Sequence, residues 1–359
     1  MNSPNAARSA VARSTVPSTD ALLALIDRFA DQPVAMLVDL VVDRYVRGTP
    51  KRISREAPVL ILRYDGEDIF PGGGANAVAN VAALGGRPLP LGAVGDDRPG
   101  RQLLDALDAR GVTLDGIAVR AGFRTPTKTR IVAGGRHAIK QQVVRYDVED
   151  VLSDDLLSSD DGKPLPSALA ALIESARVAV ASDYGYGAVR PGAVASLRRA
   201  LAANTPLVGD SRYALDRFAG LDGATPNLEE LEAVLGRAVR DDEDLRDAGR
   251  AVRDRLNARF LLVTRGSSGM SLIEGESAWH LPVHGTDQVA DVTGAGDTVI
   301  GTFALALAAG ASPLAAACLA NYAGGLVVMK MGTATLTRDE LRDAVRRDAS
   351  PLDALRSGR

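Results

Sequence analysis

Short apolar runs alternate with amphipathic stretches over most of this chain. AMLVDLVVD from Ala35, PLPLGAVG from Pro88, RVAVASDYG from Arg177, TPLVGDS from Thr205 and FLLVTRG from Phe260 read as strands. Their continuous Val/Leu character predicts burial on both faces, hence a parallel sheet flanked by helices. ANAVANVAALG from Ala75 reads as a helix closing at Gly85, and PGAVASLRRAL from Pro191 as a helix with proline in its first turn. Ligands of such sheets sit beyond the carboxyl ends of the strands. Asp39, Asp183, Asp210 and Thr264 fall at or just past those ends, which places the expected site there.

Two segments break the alternation, about 45–70 and 111–147, and both look β-like. TKTRIVAG and KQQVVRYD read as strands joined through Gly134-Gly135, a hairpin signal. The expectation is a small β-sheet lid over the site. An open sheet edge invites a second copy, so a homodimer through the lid is expected as well. Residues 1–30 read as a disordered tail and lead-in helix, 31–346 as one domain, and 347–359 as a polar tail.

Composition narrows the class. A net charge of -3 gives no basic field for nucleic acid or a membrane surface. The uncharged stretch 298–329 is split by Gly310 and Pro313 into pieces too short to span a bilayer, so two buried helices are expected. The single cysteine, Cys318, excludes an internal disulfide and fits a reducing, cytoplasmic compartment; its Ala-rich surroundings mark it as a buried helix residue.

Three motifs carry candidate chemistry. DVTGAGDT, 291–298, opens the first uncharged helix. Gly294 and Gly296 allow a sharp turn that exposes consecutive amides at a helix N-terminus, where anions are favoured. Asp297 would sit in the first turn, its ionised form favoured by the helix end, and can accept a proton from an attacking hydroxyl. Taken alone, a Gly-rich turn with an acidic cap fits equally well. PGGGAN, 71–76, puts Gly73, Gly74 and Asn76 ahead of a helix, where backbone and amide can approach a polar ligand. TPNLEE, 225–230, sets Asn227 and Glu230 on one face of a starting helix. That pair can hold the water shell of a nucleotide-bound Mg²⁺, and it can equally be a capping box.

In this order and spacing, the three motifs resemble the ribokinase-like (PfkB) carbohydrate kinase family over roughly 34–346. The resemblance implies an α/β fold, a three-layer α/β/α core with a mostly parallel sheet and a β lid. It implies Asp297 as catalytic base, an anion hole of Gly294, Ala295 and Gly296, and a Mg²⁺-related role for Asn227 and Glu230, with ATP as phosphoryl donor. DLVVDRYVRGTPKRISREAPV, 39–59, together with TPTKTRIVA, SDYGYGAV and KMGTATLT, further resembles the heptose-phosphate kinases of lipopolysaccharide precursor synthesis. The implied reaction phosphorylates D-glycero-β-D-manno-heptose 7-phosphate at O1, by a free-standing kinase. Val38 replaces the usual glycine, Tyr186 stands where relatives often carry lysine, and Ser211-Arg212 replaces Pro-Lys.

For that substrate, Asp39, Asp43 and Asp183 are candidate sugar contacts. Lys128, Arg130 and Arg145 are candidates for the phosphate, because a desolvated dianion needs cations. They read equally as a solvated hairpin face. Thr264, Arg265 and Gly266 end a strand near the expected nucleotide, and the resemblance adds Met270, Val289 and Asn321 on the adenine side. It also implies a K⁺ near Asp291, Thr293 and Gly332. Other readings are a kinase of ribose, fructose phosphate or a nucleoside, and a non-catalytic sugar-binding regulator. A dinucleotide oxidoreductase is disfavoured, since no G-x-G-x-x-G follows the first strand.

Overall fold

Strand β1 (Pro33–Val38) is buried at every residue and alternates its side chains between two cores. Val34, Met36 and Val38 join one apolar cluster with Phe29, Val78, Phe303 and Tyr322. Ala35 and Leu37 join the other, with Val194, Leu197, Leu221 and Leu261. A strand's two-residue period makes this two-sided burial possible, and it makes β1 the centre of a helix–sheet–helix sandwich. The computed structural model describes residues 15–134, 141–153, 156–157, 166–213, 215–285 and 290–357.

The chain runs α1 (Thr19–Asp27), β1, β2 (Leu40–Ile53), β3 (Leu60–Gly73), α2 (Gly74–Ala83), β4 (Arg87–Gly95), α3 (Arg98–Asp108) and β5 (Ile117–Arg120). Next come β6 (Thr127–Ala133), β7 (Gln141–Val148), α4 (Ser167–Ile173), β8 (Val178–Asp183), α5 (Pro191–Ala200), β9 (Leu207–Ser211) and β10 (Gly223–Ala224). It ends with α6 (Leu228–Leu235), α7 (Asp242–Arg255), β11 (Phe260–Thr264), β12 (Met270–Glu274), β13 (Ser277–Leu281), α8 (Ala295–Ala308), α9 (Pro313–Val327), α10 (Arg338–Arg347) and α11 (Ser350–Ser357). Nine strands form one sheet in the order β13-β12-β11-β10-β9-β8-β1-β4-β5, parallel except for the β11-β12-β13 meander at one edge. The remaining four form a second sheet, β3-β2-β6-β7.

The apolar run from Ala35 is two strands, not one. It breaks at Asp39, whose carboxylate accepts from the amides of Tyr184, Tyr186 and Ala188 at 2.9, 2.9 and 2.8 Å. Anchored there, the chain leaves the large sheet and runs into the small one. Strand β2 is buried at its root and exposed toward its tip, as expected of a flap rising from the core. The segment 111–147 is likewise divided. Strand β5 pairs with β4 in the large sheet, Gly92 opposite Ile117, because helix α3 carries the chain back to the sheet edge. Only β6 and β7 extend the flap, and Gly135 of the expected turn lies outside the described residues.

The expected polar tail is also corrected. Helix α11 buries Leu352 and Leu355, and Asp348 ahead of it takes hydrogen bonds at 2.7 Å from His284 and 2.6 Å from Tyr322. The uncharged stretch forms α8 and α9, parted at Gly310 (φ +88°) and restarted by Ser312, which caps Ala315 at 3.2 Å. Among the described residues, no helix is long and apolar enough to cross a membrane. Cys318 is buried inside α9, where burial pushes its thiol up to about 12.

Candidate active site

The amino end of α8 is built by one glycine with two reasons to be there. Gly294 has φ +79°, and a Cβ on it would lie 2.4 Å from Asn76 Nδ2. Gly296 needs neither freedom: a Cβ there meets nothing within 4 Å, so its flank is open space. One amide of the expected hole is already engaged. The Ala295 amide donates to Val292 O at 3.2 Å and the Thr298 amide to Gly294 O at 3.0 Å. Among the described residues no backbone acceptor takes the Gly296 and Asp297 amides. Two adjacent N–H groups at a helix start are therefore left for an anion.

Asp297 is 3% exposed and faces the cleft. Its Oδ1 accepts from the Tyr184 hydroxyl at 2.5 Å and its Oδ2 from Asn76 Nδ2 at 3.1 Å. The Asn76 amide is turned that way because its Oδ1 takes Asn80 Nδ2 at 3.1 Å. Asn76, expected as a sugar contact, thus holds the carboxylate and is not among the residues that line the cleft. Burial raises the Asp297 pKa to about 7, against the lowering by its two donors. Burial thus works against the ionised form that the helix end was expected to favour.

Around this carboxylate lies a cleft of about 420 Å³. The flap contributes Asp43, Lys128, Arg130 and Arg145, and the loop after β8 contributes Asp183 and Tyr184. Asp210, Arg212, Thr225, Asn227, Glu230 and Thr264 complete the lining. Gly73 (φ +51°) lines the cleft, while Gly74 is packed beneath, its missing Cβ 2.5 Å from Val38 Cβ.

Asp39 does not reach the cleft; its oxygens are spent on the loop 184–188, and burial raises its pKa to about 6. Arg130 is not a free cation either: it is buried against Asp43, whose other oxygen accepts from Thr333 at 2.8 Å. Arg44 is paired with Glu67. Lys128 stands 5.1 Å over the Tyr184 ring, its pKa lowered by burial. Arg145 holds Asp147 through Nε at 2.8 Å. Asp183 accepts from Ser211 at 2.6 Å and from the Gly185 amide at 2.8 Å.

Asn227 and Glu230 form the capping box, at 2.8 and 2.9 Å, and both still line the cleft. Burial raises the Glu230 pKa. Asp210 is raised well above the ordinary value by burial and by the carboxylates of Glu230 and Asp297. Four expected nucleotide residues lie off the cleft. Arg265 pairs with Asp242 at 2.5 Å, Gly266 sits in a turn, Met270 is core, and Asn321 donates to Pro282 O at 2.7 Å. Val289 lies outside the described residues.

The pattern of pfkB family carbohydrate kinases matches residues 35–340. The chain belongs to the pfkB family of carbohydrate kinases. Bifunctional protein HldE of Mesorhizobium japonicum is 38% identical over 339 residues, which are 93% of this chain and 66% of that protein. Bifunctional protein HldE of Pseudomonas paraeruginosa is 41% identical over 325 residues, 89% of this chain and 65% of that protein. The chain therefore spans just under two thirds of the length of these relatives. Among solved structures, Arabidopsis thaliana ribokinase complexed with ribose and ATP superposes with a TM-score of 0.70 at 22% identity, covering 89% of this chain and 100% of that one. Escherichia coli phosphofructokinase-2 in complex with substrates and products gives 0.66 at 18%, covering 87% and 98%. These likenesses establish the ribokinase-like fold.

Beyond the expected residues, the cleft of this pfkB sugar kinase is lined by others. Tyr184, Arg212 and Thr225 line the cleft although none was singled out as a candidate, even where a quoted stretch contained it. Their signal was positional: Tyr184 and Arg212 directly follow the carboxyl ends of β8 and β9.

Proposed function

We propose that this sugar kinase transfers the γ-phosphoryl group of ATP to the anomeric hydroxyl of D-glycero-β-D-manno-heptose 7-phosphate, in the cytoplasm, on the route to ADP-heptose and lipopolysaccharide core. One observation carries the reading: a single cleft joins a proton acceptor, two unused helix-start amides and a cationic wall of Lys128, Arg145 and Arg212. The wall suits an acceptor that already bears a phosphate. The likeness to the two HldE proteins supports the heptose.

In the reaction, the sugar oxygen bonds to the γ-phosphorus while the bond to the bridging oxygen of ADP breaks. The hydroxyl proton passes to Asp297, and the amides of Gly296 and Asp297 meet the charge on the moving phosphoryl. With a pKa of about 7, Asp297 is an effective acceptor near neutral pH and accepts progressively less below it. A Mg²⁺ on the nucleotide fits the opposite side. Burial opposes the ionised forms of Asp210 and Glu230 there, and a cation would favour them; Asn227 would order its water shell. Its chemistry is to neutralise phosphate charge. A K⁺ site is proposed at the loop where Asp291 ties the Thr293 and Gly332 amides at 2.9 and 3.1 Å. We also propose a homodimer through the flap, where Ile53, Tyr64 and Tyr146 are exposed.

The test is a panel of acceptors with Mg-ATP, read by ADP release. Heptose 7-phosphate should give the highest kcat/KM; a higher value with ribose or fructose 6-phosphate would sink the substrate assignment. Asp297→Asn should lower kcat by at least ~10², the lower range for loss of a general base.

A further inference from the structure

Tyr184 is the residue after β8, and its backbone is clamped on both sides. Its amide donates to Asp39 Oδ2 at 2.9 Å, and the next amide, of Gly185, donates to Asp183 Oδ1 at 2.8 Å. The ring is clamped as well. Lys128 Nζ lies 5.1 Å from its centroid, and a Cβ at Gly73 would touch its Cδ2 at 3.4 Å. A side chain so held cannot choose its partner freely, and its hydroxyl is delivered to Asp297 Oδ1 at 2.5 Å. We propose that Tyr184 is a positioning residue for this kinase: its hydroxyl keeps the Asp297 carboxylate in its proton-accepting form and aimed into the cleft. The inference rests on the reading of Asp297 as the base.

The charges around Asp297 make the role necessary. Asp43 of the flap and Asp210 after β9 both oppose a further negative charge. Lys128 of the flap favours one, and Arg212 lines the same cleft. Asp183 and Glu230 are further carboxylates that line the cleft. Without the tyrosine hydroxyl, Asn76 alone would donate to a carboxylate that burial already pushes toward its protonated form. Tyr184 is a dependable donor because burial, and then the Asp297 charge, push its own pKa well above the ordinary value. A carboxylate oxygen has room for a second hydrogen bond, so the tyrosine need not leave when a sugar hydroxyl arrives.

The test compares Tyr184→Phe with the parent, using the same acceptor and saturating Mg-ATP from pH 5.5 to 9. Phenylalanine keeps the ring under Lys128 and removes only the donor. The acid limb of kcat should move up by about one to two pH units, the equivalent of one hydrogen bond to a charged acceptor, while kcat at high pH approaches the parent value. A uniform loss of kcat at every pH, or an unmoved limb, overturns the proposal. Fluorotyrosine at 184, a more acidic donor, should move the limb the opposite way, and failure to do so counts equally against it. Asp297→Asn separates the two layers. If it retains the parent's acid limb, the reading of Asp297 fails; if it abolishes the limb while Tyr184→Phe leaves it in place, only the tyrosine's role fails.

Discussion

Replacing the proposed base should make the protein more stable, and the gain should depend on pH. Asp297 carries a pKa raised from 3.8 to about 7 in the folded state, chiefly by burial. Between those values the native protein binds more protons than the unfolded chain, so stability falls as pH rises through that interval. The rise is roughly three units at about 1.36 kcal/mol each, so the ionised carboxylate costs about 4 kcal/mol at pH 8. Asparagine has nearly the shape of the protonated acid. Its oxygen can keep the Asn76 donor, and its amide can donate to a Tyr184 hydroxyl that turns to accept.

Asp297→Asn should therefore exceed the parent in unfolding free energy by about 2–4 kcal/mol at pH 8, and the difference should close toward pH 4.5. Urea unfolding followed through Trp279, the single tryptophan, gives the value at each pH. Subtracting the parent removes contributions that both proteins share, such as Asp39, raised to about 6. If the two stability curves run parallel from pH 4.5 to 8, the carboxylate is well solvated and the burial argument is wrong.

Three further outcomes follow from the cleft. Arg130→Met should destabilise by about 3–5 kcal/mol, because it strands buried Asp43, and adding Asp43→Asn should restore much of that; urea unfolding without a loss would instead free Arg130 to be a ligand. Gly294→Ala places a side chain in the left-handed region 2.4 Å from Asn76 Nδ2, so it should cost about 1–2 kcal/mol by thermal unfolding and lower kcat at least ~10-fold by shifting that amide. Lys128→Ala should raise the KM of a phosphorylated acceptor about 10-fold, the equivalent of one charge-assisted hydrogen bond, with the KM for ATP unchanged; equal rises would remove Lys128 from the acceptor side.

Sequence alone went furthest where one residue type met one local demand. The helix at Ala75, its stop at Gly85 and the split of the uncharged stretch at Gly310 all depend on backbone preferences that a short window displays. Division of the run at Asp39 was hidden, because the three amides that draw its carboxylate away lie about 145 positions downstream. The same distance problem explains Asn76 and Arg130. Each has a side chain suited to a sugar phosphate, and each is consumed by a partner that no local pattern announces. The burial that raises the Asp297 pKa was hidden for a related reason: a helix end is legible in sequence, while the closeness of surrounding atoms is not.

Satisfaction of polar groups sorts the cleft into scaffold and machinery. Asp39, Asn76 and Arg130 have their capacity taken up by fixed partners, and they hold the loop, the base and the flap in register. The Gly296 and Asp297 amides and the Arg212 guanidinium have no such partner among the described residues. Burial disfavours the ionised forms of the Asp210 and Glu230 carboxylates. A folded chain gains nothing from leaving these groups unmatched, since each costs desolvation energy. They make sense together if the missing partners are a phosphoryl group, a second phosphate and a cation, which arrive only with substrates. On that argument binding should tighten the structure. Mg-ATP and the acceptor together should raise the unfolding midpoint of Asp297→Asn, which can bind them without turning them over; an unchanged midpoint at saturating concentrations would mean the unmatched groups serve something else.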